Sequence, residues 1–381
     1  MSKTKHEWPR RDLEAAYTLP SRYYFDPDIF EDEKQAVFYR AWTFVGHVNE
    51  LSAPGQFVTV DLFDQSVIVA CGRDGDIRAF HNVCQHRGNR LVTERRGKNL
   101  ASFICPYHAW TYDLTGRLRG APRTERLDGF DKDEFGLKSV RVESFAGFVY
   151  INLDPNALDM HSTFPGAADF LSDLSPDLHD LHLESEEDMI APVNWKVVVD
   201  NAIESYHVEL SGPHHKELAA FLDFEQDVAI ARDNWWTLGG PVKPGLTEMF
   251  GVKIADQPYQ TTTYMNWWLF PNNCIYLVPY VDMVATFQII PLAPEKTLVR
   301  FGYYVPDRPE SDITAACKTW MNDGLGPEDI ELNITVQQGL KSMGFDQGRY
   351  MIDPERSNES EHAVHHFHVK LFEAMTRDHG A

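Results

Sequence analysis

The stretch His81-Asn82-Val83-Cys84-Gln85-His86-Arg87-Gly88, with its companion Cys105-Pro106-Tyr107-His108-Ala109-Trp110, decides what this chain must fold around. The two read C-x-H, eighteen intervening residues, then C-x-x-H. Each supplies one thiolate and one imidazole. Two Cys on one iron and two His on the other make the ligand set of a Rieske [2Fe–2S] centre, where neutral imidazole lowers the cluster's negative charge and raises its potential. A structural zinc site is the competing reading. Zinc ribbons and fingers, however, pair Cys with Cys and His with His at two- to four-residue spacing, and here each loop mixes the types. Cys84, His86, Cys105 and His108 are the expected cluster ligands.

A cluster module needs about a hundred residues, and 381 residues suit roughly two domains. With 43% hydrophobic and 24% charged residues, the rest of the chain can bury a core of its own. A formal charge of −22 argues against nucleic acid or an anionic membrane as partner. No run of eighteen apolar residues spans a membrane, and Met1–Trp8 lacks the apolar stretch of a signal peptide, so a cytoplasmic protein is expected. Cys71, Cys274 and Cys317 read as buried or free thiols of a reducing compartment. Arg87, Arg90, Arg95, Arg96 and Lys98, opposed only by Glu94, form a basic collar suited to an acidic electron donor or a neighbouring subunit; a solvated loop with scattered ion pairs is the plainer alternative.

Along the chain, residues 27–42 carry apolar residues at helical spacing, with Asp28 as a candidate cap. From 43 to 153 short alternating runs such as Phe57–Leu62 and Ser66–Ala70, punctuated by Pro54-Gly55, Asp74-Gly75 and Thr115-Gly116, predict a small all-β domain closing with Gly147–Leu153. Beyond Asp154-Pro155-Asn156, helical segments near 195–222 and 327–343 flank a strand-rich middle, 261–305. No G-x-G-x-x-G fingerprint is present, so a nicotinamide or flavin is expected on a separate protein.

The flanks of the two Cys/His loops resemble those of Rieske oxygenases, without the additional Cys of respiratory Rieske proteins. A second stretch, Asn194-Trp195-Lys196 through Glu204-Ser205-Tyr206-His207 to His214-His215, resembles the Asn-Trp-Lys … Glu-x-Tyr-His … His signature of Rieske non-haem iron oxygenases. The likeness runs from Phe25-Asp26-Pro27 to the histidine-rich segment His362–His368, which it places on a terminal helix without a metal. It implies an α+β fold: a small all-β Rieske domain plus a larger helix-grip-like catalytic domain with a central antiparallel sheet. The expected division is 1–42 as a helical segment packing on the catalytic domain, 43–155 as the Rieske domain and 156–381 as the catalytic domain.

In that family two His and a carboxylate hold Fe(II) on one face, leaving the other positions open. The resemblance makes His207 one ligand. Ser211-Gly212-Pro213 looks like an insertion that breaks the helix, so the second ligand is His214 or His215. His215 is preferred because Leu218 matches an apolar position three residues on. Pro327-Glu328-Asp329 through Val336-Gln337-Gln338-Gly339-Leu340 resembles the segment whose Asp binds iron; this implies Asp329, with Glu328 and Glu331 as fallbacks. Acidic residues after a first-turn Pro could equally serve the helix dipole. Glu204 matches the acidic residue that bridges the iron site to a cluster His of an adjacent subunit, and Asp200 could support it.

The activity implied is reduction of O₂ with electrons from NAD(P)H, delivered by a separate reductase or through a ferredoxin, and hydroxylation of a small organic substrate in a homotrimer. Trp235, Trp236, Tyr264, Trp267, Trp268, Phe270 and Tyr276 could bind an aromatic ring or a quaternary ammonium, or could simply be core. Ring hydroxylation of an aromatic compound is the leading expectation. A monooxygenase or demethylase of carnitine- or betaine-like compounds is the alternative. A Rieske electron carrier that has lost its second iron is the reading of another class.

Overall fold

Asp26 caps the first helix, α1 (Pro27–Glu33), by accepting the Asp28 N–H at 2.9 Å, so the cap lies two residues before the expected one. The helix widens into a π-type turn at Lys34–Phe38 and does not reach residue 42, because the chain then turns into the first strand. The computed structural model describes residues 13–175, 177–223, 226, 228–257, 261–357 and 359–376; the amino-terminal segment read above as leaderless lies outside them.

The chain divides into two units, Phe38–His182 and Met1–Val37 with Leu183–Ala381. In the smaller unit, β1 (Thr43–His47), β2 (Phe57–Leu62), β3 (Gln65–Cys71), β4 (Ile77–His81), β5 (Arg96–Gly97), β9 (Ser139–Phe145) and β10 (Phe148–Asn152) form a sheet ordered β1-β10-β9-β4-β3-β2-β5. A second sheet joins β6 (Phe103–Ile104), β7 (Thr111–Tyr112) and β8 (Leu118–Gly120). The expected boundary after residue 155 moves to 182. Helices α2 (Met160–Thr163) and α3 (Ala167–Leu174) stay with this unit: the Met160 N–H donates to Glu143 at 2.8 Å, and the Leu178 carbonyl lies 2.7 Å from His47 Nε2.

The larger unit is built on β11 (Leu181–Ala191), β12 (Val228–Arg232), β13 (Trp235–Pro241), β16 (Thr263–Leu269), β17 (Asn273–Leu277), β18 (Val284–Ala293) and β19 (Lys296–Pro306), ordered β11-β19-β18-β17-β16-β13-β12; β14 (Glu248–Met249) and β15 (Val252–Lys253) form a separate hairpin. The pairs from β12 to β19 are antiparallel. Helices α4 (Trp195–Ala202), α5 (Pro213–Phe221), α6 (Asp312–Thr319), α7 (Gly326–Leu340) and α8 (His362–Thr376) complete the unit, with α4 packed on α7 and β18. Among the described residues no helix is long and apolar enough to cross a membrane.

The Asn194-Trp195-Lys196 motif proves to be scaffold. Asn194 caps α4 by accepting the Lys196 N–H at 3.0 Å, and its own N–H donates to Gln337 of α7 at 2.9 Å. Trp195 Nε1 and Lys196 Nζ both donate to the Glu33 carboxylate, at 2.8 and 2.6 Å, and the ion pair is fully buried. Burial pulls the Lys196 pKa down and the Glu33 charge opposes it. The pair fastens α1 to α4, and α4 packs in turn on α7, which carries the candidate ligand Asp329.

Candidate metal centres and substrate pocket

Both Cys/His loops close on their own backbone. The Gly88 N–H donates to the Cys84 carbonyl and the Ala109 N–H to the Cys105 carbonyl, each at 3.0 Å. The residue four past each Cys is left-handed, φ 73° at Gly88 and 56° at Ala109. Glycine adopts that conformation freely, whereas alanine gives up about 1–2 kcal/mol. Thus the two loops make the same knuckle although their Cys–His spacing differs by one residue. Both thiols are buried. The His86 ring stacks on Trp110 at 4.9 Å and meets the His108 ring edge-on at 4.7 Å.

His108 Nδ1 is buried without a hydrogen-bond partner, while its Nε2 lies 3.2 Å from Arg87. A buried imidazole nitrogen without a partner, beside two buried thiols, fits a cluster iron. Burial, with the Arg87 and His86 charges, lowers the His108 pKa and favours the neutral ring that ligation requires. Burial raises the Cys84 thiol, opposed by the Tyr112 hydroxyl 3.4 Å away and by the His86 N–H. The basic collar is partly paired within its own unit, Arg90 with Asp61 at 2.9 Å and Arg96 with Glu50 at 2.5 Å.

The expected helix over 195–222 ends at Ala202 and resumes at Pro213. Glu204 and His207 therefore sit in the intervening turn, not one helical turn apart. The Glu204 carboxylate accepts the N–H groups of Tyr206 and His207 and also holds His207 Nδ1.

The start of α5 lacks a side-chain cap of its own. Glu328 of α7 supplies one, accepting the His214 and His215 N–H groups at 3.0 and 3.2 Å and engaging both rings at Nδ1, at 2.7 and 2.8 Å. Gly212 permits this approach, since a Cβ there would lie 2.4 Å from the Glu328 carboxyl carbon. With its Nδ1 engaged, His215 presents Nε2 to Asp329 Oδ1 at 2.9 Å, and His207 Nε2 lies 3.7 Å from the same oxygen.

One ligand atom from each of His207, His215 and Asp329 lies within 4.8 Å of the other two. Bonds of about 2.1 Å to one face of an ion would bring such atoms to about 3 Å apart, so the triad fits a two-His, one-carboxylate metal site. His214 points to Glu328 instead, and Glu331 is exposed.

Electrostatics favour a cation here. Burial works against protonation of His207, but Asp329 and Glu204 outweigh it and lift the pKa to about 10. His215 is raised against burial by Asp329 and Glu328. Burial opposes ionisation of Glu328, yet the His214 N–H, the His215 ring and their neighbours draw its pKa down to about 2.

Beside the triad opens a pocket walled on the sheet side by Leu238, Tyr264, Asn266, Tyr276, Phe287 and Phe301. Register explains the wall: Asn266 faces Tyr276 across β16–β17, and Phe287 faces Phe301 across β18–β19. Of the seven aromatic residues singled out above, only Tyr264 and Tyr276 are among those lining it; the four Trp are core. Phe287 and Phe301 escaped the sequence reading, although both lie in alternating apolar runs. Among the described lining residues none is Lys or Arg. Among the described residues the terminal histidines join no cluster of three metal-ligating side chains; His362 and His366 lie against the Ala229 and Asp233 carbonyls, at 3.2 and 2.9 Å.

Residues 41–139 match the Rieske [2Fe-2S] domain family, and residues 178–377 match the ring hydroxylating alpha subunit (catalytic domain) family. The carnitine monooxygenase oxygenase subunit of Escherichia coli (strain K12) is 35% identical over 360 residues, covering 94% of each chain. The glycine betaine monooxygenase oxygenase subunit of Pseudomonas aeruginosa (strain PAO1) is 35% identical, over 89% of this chain and 86% of its own. The solved structure of the quaternary ammonium Rieske monooxygenase CntA with L-carnitine superposes with a TM-score of 0.86 at 30% identity, covering 97% of this chain and 100% of that one. Naphthalene 1,2-dioxygenase from Rhodococcus sp., 19% identical with a TM-score of 0.78 over 95% of each chain, shares the fold.

Proposed function

Because this chain belongs to the ring-hydroxylating oxygenase alpha subunits and carries a Rieske [2Fe–2S] domain, we propose that it is the oxygenase subunit of a monooxygenase acting on a small quaternary ammonium compound. The observation that carries this reading is the pocket: aromatic faces at Tyr264, Tyr276, Phe287 and Phe301, acidic groups at Glu204 and Asp329, and no Lys or Arg among its described lining. Aromatic faces stabilise a desolvated cation by about 2 kcal/mol or more. The carnitine and glycine betaine relatives support the same class. Aromatic ring hydroxylation, the leading expectation from sequence, rests on the more distant dioxygenases, whose likeness is one of fold.

In this reading Cys84, Cys105, His86 and His108 hold the cluster, and His207, His215 and Asp329 hold a ferrous ion. When bound, the cluster supplies single electrons and the iron activates O₂. Glu328 locks the His215 tautomer, and Glu204 orients His207 and links it to the cluster of a neighbouring subunit in a homotrimer. The aromatic wall holds the cation and keeps bulk water from the reacting carbon. Electrons come from NAD(P)H through a separate reductase.

The test is a substrate panel. Reconstituted with iron and a reductase, the protein should couple NADH oxidation to product with carnitine, glycine betaine or choline and not with aromatic acids. Product from aromatic acids alone would overturn the substrate class, and a content of two iron atoms per chain without turnover would favour the electron carrier.

A further inference from the structure

Hydroxylation consumes protons as well as electrons. One C–H bond at a carbon attached to the quaternary nitrogen breaks and one C–O bond forms; the second oxygen atom leaves as water with two added protons. The two electrons come from NAD(P)H through the reductase. Those protons must reach the His207 site, beside which the substrate pocket opens.

A second cavity, of about 340 Å³, shares Asn201, Glu204, His207 and Asn333 with that pocket. Its other lining includes Tyr24, Asp200, Tyr350, Glu361 and His368. His368 is only 1% exposed; its Nε2 lies 2.9 Å from Asp200 and 3.4 Å from the Tyr24 hydroxyl. The Tyr24 hydroxyl donates to Asp200 at 2.7 Å, and the Tyr350 hydroxyl lies 2.5 Å from His368 Nδ1. Tyr350 donating to Nδ1 leaves the proton on Nε2, facing Asp200. Burying an imidazole against a largely buried carboxylate is costly unless the arrangement has a use.

Resting on the oxygenase reading above, we propose that Asp200 and His368, fixed by Tyr24 and Tyr350, form a relay that carries protons through this cavity to Glu204 and the His207 site. Asp200, Glu204, Glu361 and His368 give this otherwise apolar cavity a set of polar groups, and its volume can hold a file of waters beside them. Asp200 and Glu204 lie four residues apart along its wall, one at the end of α4 and one in the turn that follows. Burial, opposed by the Met351 N–H and reinforced by the Glu204 and Asp200 charges, lifts Glu361 to about 7. That carboxyl therefore exchanges protons at neutral pH. His368 and Asp200 act through water and Glu204, which makes them relay residues and not catalytic ones.

The test uses the holoenzyme with its reductase. His368→Gln keeps hydrogen-bonding reach but cannot shuttle a proton. It should lower kcat about 100-fold, the low end for a positioned proton-transfer group, leave KM, iron content and cluster absorbance unchanged, release more peroxide per NADH and enlarge the solvent deuterium isotope effect. Imidazole should restore turnover to His368→Gly; if that variant does not fold, His368→Gln decides. Unchanged kcat and isotope effect in His368→Gln would overturn the relay. Loss of iron or cluster together with kcat would also overturn it, marking these groups as a latch on α8. Independently of turnover, a crystal structure of the holoenzyme should show ordered waters joining the His368–Asp200 pair to Glu204, and a dry cavity contradicts the proposal. A wild-type enzyme inert toward every quaternary ammonium compound breaks the substrate reading and leaves those waters to judge the relay.

Discussion

The two metal centres of this chain are built by opposite means. The cluster loops are local: each Cys is followed four residues later by the left-handed residue that closes its knuckle. The triad proposed for iron takes His207 from a turn, His215 from α5 and Asp329 from α7. Its orientation comes from carboxylates, Glu204 on one imidazole and Glu328 on the other. A site made of backbone turns tolerates distant change, whereas a site made of side chains from separate elements depends on whatever holds those elements.

Asp329→Ala should break the contrast most visibly. It removes the carboxylate facing both imidazoles, so iron should fall from about three to about two atoms per chain. Turnover should vanish while the cluster absorbance persists; loss of that absorbance would show that the centres are not independent. Lys196→Met leaves Glu33 buried without its ion-pair partner. An unpaired buried charge costs about 3–5 kcal/mol, and calorimetry should show an earlier unfolding transition together with weaker iron retention. Glu328→Gln should reduce iron affinity about 10- to 100-fold, the usual loss when a ligand's outer hydrogen bond is altered; His214→Ala, measured alongside, should leave it nearly unchanged.

Acidity sharpens the same contrast. In the metal-free site His207, lifted to about 10, holds a proton at neutral pH that iron must displace. Affinity therefore rises with pH below that value, by up to about tenfold per unit for one displaced proton, and chelator competition at about pH 6.5 and 8.5 checks it. The smallest effect belongs to the local loops. Gly88→Ala, at φ 73° with nothing within 4 Å of the new Cβ, should cost about 1 kcal/mol, read as a small loss of thermal stability with the cluster retained.

The domain boundary shows why some of the fold was illegible. Residues 156–182 have no motif of their own, and it is tertiary contacts, among them those of Met160 and Leu178, that join them to the smaller unit. Likewise, helical spacing continues through Ile203–Glu209, but Glu204 draws the Tyr206 and His207 N–H groups to its own carboxylate and the helix stops.

By itself the sequence marked out four candidate cluster ligands, the all-β texture around them, and the His and acidic residues from which an iron site could be drawn. Cys, His and the turn residue lie within one loop there, so spacing alone expresses the geometry. The preference for His215 over His214, drawn from Leu218 in the sequence, gains a geometric reason only in the fold, where Glu328 holds both rings and His215 alone of the two meets Asp329. The pocket's aromatic wall waited on the register that sets Phe287 opposite Phe301. Those outcomes are tertiary because hydrogen bonds and strand pairing between distant segments decide which face of a residue meets the site, and no local pattern encodes that.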